Sequence, residues 1–75
     1  MSETELVKFA KRLRALPSPS HALRAYIGGV EGLIRLNAED ITAEGWRERW
    51  DNLHAINTRR WDALSDEDKQ RTRDA

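Results

Sequence analysis

Cysteine is missing from all 75 residues, so neither a disulfide framework nor a Cys-based zinc site exists here. The two histidines are too few to build a metal site alone, and no cofactor motif occurs, so neither a metal nor a cofactor is expected. No apolar stretch approaches the roughly 18 residues of a membrane helix. The opening Ser2-Glu3-Thr4-Glu5 is unlike the basic segment and apolar run of a secretory signal. The expected setting is the cytoplasm, with no membrane partner. Net charge is absent too: thirteen Lys/Arg cancel thirteen Asp/Glu, leaving no global field to draw in a polyanion. The cancellation is uneven, because residues 1–36 hold six basic and three acidic residues and residues 37–75 hold seven and ten.

Such a chain forms one domain, residues 1–75, near the lower limit for folding without staples. It buries about 60–65% of its unfolded surface, and a lone core of this size supplies ~3–5 kcal/mol. Additional support from self-association or from a larger partner is expected.

What the chain does have is helical periodicity throughout, with no strand pattern, repeat or low-complexity tract. Ser2 and Glu5 have capping-box spacing, and Leu6, Phe9, Ala10, Leu13 and Leu16 follow at helical intervals, giving a first helix over about 3–16 that ends before Pro17. Ser18 is the expected cap of a second helix, about 19–36, with Pro19 at its first position. Leu23, Tyr26, Ile27, Val30, Leu33 and Ile34 form a broad apolar arc on it. Ala25, Gly28, Gly29 and Gly32 leave its other side nearly bare. Those glycines either break the segment in two or form a groove for close helix approach. The arc passes them without a change of phase, which favours one helix. Asn37 closes it, and Thr42 is the expected cap of a third helix over about 43–64, on which Arg47 and Asp51 have ion-pair spacing. Ser65, followed by Asp66, Glu67 and Asp68, starts a short fourth helix over about 66–73. The fold class is all-α: three main helices and a short C-terminal one, the second central.

Three of the five aromatic residues are tryptophans on the third helix, and at about 100° per residue Trp46, Trp50 and Trp61 fall within roughly 60° of one another. Leu53 and Leu64 share their stripe. Either the indoles build the core or they dock a partner, since Trp and Arg dominate binding hot spots. Asn57 stands inside the stripe, where a lone polar residue in a two-chain interface would set register, and Arg49 and Arg60 flank it. The interaction candidates are thus Trp46, Arg49, Trp50, Asn57, Arg60 and Trp61. The function they suggest is a non-enzymatic protein-binding module, an inhibitor or adaptor that engages a larger protein and also pairs with itself. By analogy of class alone, small cysteine-free, charge-balanced chains of this kind are common among accessory proteins of phages and mobile elements.

A second reading is a small DNA-binding regulator. Ala25-x-x-x-Gly29-Val30 resembles the middle of a helix-turn-helix, which implies a turn at Gly29 and a recognition helix over 31–36. The apolar residue that pattern wants five places after the valine is Arg35 here. Lys8, Lys11, Arg12, Arg24 and Arg35 would be the nucleic-acid contacts. Catalysis has no foothold, because no nucleophile stands beside a base and the acid clusters Glu39-Asp40 and Asp66-Glu67-Asp68 fit helix capping.

Overall fold

The computed structural model describes residues 4–75, in which four helices, α1 (Glu5–Arg14), α2 (His21–Asn37), α3 (Trp46–Asp62) and α4 (Asp66–Asp74), account for the regular structure. The proposed Ser2 capping box lies outside the described residues. Thr4 caps α1, its hydroxyl accepting the Val7 N–H at 3.2 Å.

Two expected starts are corrected. Ser20, not Ser18, caps α2, accepting the Leu23 N–H at 3.1 Å, so the helix begins at His21 instead of residue 19. Ser18 takes a left-handed φ of 46° and is unsuited to the extended geometry of an N-cap. Thr42 does not cap α3 either. Its N–H and hydroxyl both donate to the Asp40 carboxylate, at 2.9 and 2.6 Å, and these bonds hold that carboxyl below its usual pKa. The chain then turns through Gly45 at φ 81°, a left-handed conformation glycine adopts without steric cost, and α3 starts at Trp46 with no side-chain cap.

α2 runs unbroken past its glycines, so the helix-turn-helix turn at Gly29 and a separate recognition helix over 31–36 are absent. A side chain on Gly29 would stand 2.7 Å from Cγ of Asn57 and closer still to its Oδ1, while one on Gly32 would meet Leu53 at 3.2 Å. The bare strip of α2 is therefore the seat of α3.

α2 is central and packs against α1 on one side and α3 on the other. Leu13 and Leu23 are fully enclosed at the α1–α2 contact, with Ala10, Ile27, Val30 and Leu64 completing the core. α4 closes one end through polar contacts. The Ser20 hydroxyl donates to Asp68 at 2.7 Å, Arg12 donates to the Ala75 main-chain oxygen at 3.2 Å, and Arg71 donates to the Pro17 carbonyl. The resulting body is flattened, measuring 39 × 30 × 15 Å along its principal axes. Its radius of gyration is 13.1 Å, against about 11 Å for a compact domain of this length. The protein is a flattened bundle with two broad faces, in which α2 carries α1 and α3.

Candidate functional site

On one face α1 and α3 stand as walls and α2 forms the floor of an open groove of about 400 Å³. Its lining includes Phe9 from α1, Tyr26 and Val30 from α2, and Trp50, Asn57 and Trp61 from α3. Helical spacing explains the arrangement. Trp50, Asn57 and Trp61 share one sector of α3, and once Asn57 is seated on Gly29 both indoles must flank the floor. Trp61 is half-buried and tilted against Tyr26, with ring centroids 5.3 Å apart at 56°. Burial raises the Tyr26 phenol above its ordinary pKa of 10.0. Two guanidinium groups lie over rings of the groove: Arg73 5.6 Å from the Trp61 centroid and Arg12 6.0 Å from that of Phe9.

The expected interaction set separates into three groups. Trp46 is core: it is 8% exposed, its Nε1–H donates to the Leu36 carbonyl at 2.8 Å, and Trp50 stacks on it at 5.4 Å and 14°. With its donor bonded and its ring covered, it cannot anchor a partner. Trp50 and Trp61, both half-buried, remain as groove walls. Arg49 and Arg60 project to the opposite face. Arg49 pairs with Glu39 at 3.3 Å, and Arg60 donates from Nη1 to the Ala25 carbonyl at 3.1 Å.

Asn57 is 7% exposed, and its Oδ1, turned to Gly29, has no hydrogen-bond partner. Within one chain the amide lies against the bare backbone of Gly29, where α3 meets α2. Beside it, the Thr58 hydroxyl donates to the His54 carbonyl at 3.0 Å, and both residues form the outer lip of the groove.

This is a recess built from aromatic surface with few polar groups, suited to apolar side chains. No protein-family model, curated protein or solved structure matches the chain. Among the described residues no group of three or more His, Cys, Asp or Glu could hold a metal ion, and no helix is long and apolar enough to cross a membrane.

The nucleic-acid candidates also divide. Lys11, Arg24 and Arg35 line hollows on the face opposite the groove, whereas Arg12 leans over Phe9 and Lys8 pairs with Glu5 at 3.5 Å. Arg47 and Asp51 form the expected i,i+4 pair at 3.3 Å. Phe9 and Tyr26 were not among the sequence candidates. Each is a lone aromatic on an otherwise aliphatic face, and only the packing of α1 and α3 on α2 brings them to the tryptophans.

Proposed function

We propose that this chain is a non-enzymatic protein-binding module, of the inhibitor or adaptor kind, that takes apolar side chains of a larger protein into the groove between α1 and α3. One observation carries the reading: α1 and α3, both packed on α2, leave Phe9, Tyr26, Trp50 and Trp61 around an uncovered recess. Domains ordinarily cover their apolar faces with another packed element, and here a partner supplies it. An amphipathic helix suits the trough, since residues at i, i+3 and i+4 present the apolar ridge such grooves accept. The cysteine-free composition is in keeping with a cytoplasmic setting.

The test pairs capture with stability. Tagged protein is used to recover partners from nuclease-treated host lysate, alongside Trp61→Ala and Trp50→Ala. Truncating a hot-spot tryptophan weakens binding by about 2 kcal/mol or more, roughly thirtyfold. Trp61→Ala is expected to lose a stoichiometric partner that the wild type retains while keeping a cooperative melt. Retention of the same partner by both variants overturns the reading. Sedimentation of the pure chain shows whether a second copy fills the groove instead.

A further inference from the structure

The face opposite the groove carries most of the chain's charge asymmetry. Three adjoining hollows run along the exposed back of α2, sharing Arg14, Gly28, Glu31 and Arg35 among their walls. Six cations line them: Lys11 and Arg14 from α1, Arg24 and Arg35 from α2, and Arg49 and Arg60 from α3. Among the described residues two carboxylates join them, Glu31 and Glu39. Each sits against one arginine, Glu31 with Arg14 at 3.1 Å and Glu39 with Arg49 at 3.3 Å. Leaving Lys11 out of the count, five arginines against two carboxylates still give the strip an excess of three positive charges among the described residues, on a chain whose formal net charge is zero. Arg24 and Arg35 are exposed and have no carboxylate partner among the described residues.

We infer that this strip binds the phosphodiester backbone of duplex nucleic acid, without reading its sequence. Five of the six cations are arginine, whose planar fork matches phosphate oxygens. Arg24 and Arg35 are eleven residues apart on one helix, about 16 Å at 1.5 Å per residue, the length of about five base pairs. Between them Gly28 has nothing within 4 Å of the place its side chain would take, so the backbone of α2 lies open to close approach. No element projects from the strip to enter a groove and contact base edges, which is why only the backbone is engaged. A lipid surface is disfavoured because the exposed large apolar residues, Ile41 and Ile56, lie outside the strip and no wedge is left to insert. A protein partner would want a buried aromatic anchor, and every ring of the groove is on the other face.

Fluorescence anisotropy with a labelled random-sequence duplex tests this independently of the groove. The expected dissociation constant lies at about 10⁻⁴–10⁻⁶ M near physiological salt. Engagement of three or four phosphates gives a log–log salt slope of about −3. Arg24→Glu with Arg35→Glu is expected to weaken binding at least tenfold at low salt, and Arg24→Gln with Arg35→Gln to fall between, both with unchanged circular dichroism. Lys8→Glu with Arg47→Glu shifts the net charge equally but away from the strip, and is expected to leave binding near the wild type. Equal loss in that control, absence of duplex binding at low salt, or binding to anionic vesicles in preference to duplex would each overturn the inference. Loss of partner capture through Trp61→Ala does not bear on it, and the duplex assay leaves the groove unprobed.

Discussion

Gly28 and Gly29 are neighbours on one helix with opposite surroundings. A methyl group at Gly29 would drive into the Asn57 amide and lever α3 away from α2, whereas at Gly28 it would meet open space. Gly29→Ala is therefore expected to cost about 1–3 kcal/mol through overpacking. Gly28→Ala should gain about 0.5–1 kcal/mol by removing the entropic penalty of a helical glycine. At about 4–8 °C per kcal/mol for a domain this size, thermal melts should move in opposite directions. Combining Gly29→Ala with Asn57→Ala should recover much of the loss, and failure to do so would mean that another contact sets the helix separation. The oddity of Asn57 inside an apolar stripe was legible in the sequence. Its partner was not, because a lone amide and a bare strip announce nothing of each other when they lie on different helices.

At the scale of elements, α4 shows how a helix without apolar residues is held. Asp68 takes the Ser20 hydroxyl at 2.7 Å and gives its N–H to Ser65 at 3.1 Å, so one buried carboxylate residue joins the starts of α2 and α4. Thr72 is buried one turn on, its hydroxyl bonded to the Asp68 carbonyl at 2.8 Å. Ser20→Ala removes a helix cap, worth about 1 kcal/mol, and a donor to a buried carboxylate, worth about 1–3 kcal/mol. It is expected to lower the melt and to speed amide exchange through α4, whereas Ser18→Ala should stay within about 0.5 kcal/mol of the wild type. Equal effects of the two substitutions would contradict this account. Apolar spacing and the Ser65-Asp66-Glu67-Asp68 run sufficed to find all four helices. Two start positions were missed for the same reason: Ser18 and Ser20 both fit the local rule, and the choice falls to Asp68, 48 residues away. Thr42 likewise fits until Asp40 captures it and Gly45 delays the helix.

For the whole molecule, the question left open by the tryptophans resolves by position along α3. Trp46 is buried against the end of α2, Trp50 and Trp61 flank the groove, and Arg49 and Arg60 reach the far face. Periodicity placed the three indoles together but could not say which edge of the stripe would meet α2, since the glycines that decide it belong to another helix. The open, flattened body has a calorimetric consequence. The chain exposes 5343 Å², against about 4,700 Å² for a compact protein of its mass, so unfolding uncovers less new apolar surface than usual. Its heat-capacity increment should fall below the ordinary 12–15 cal/mol/K per residue, hence below about 0.9–1.1 kcal/mol/K for the whole chain. Scanning calorimetry of the isolated protein at several pH values measures this, and an increment at or above that range would mean that the groove is closed in solution. A small increment flattens the dependence of stability on temperature. The free chain should then hold a modest, nearly constant stability across a wide range, and filling the groove should add the curvature it lacks.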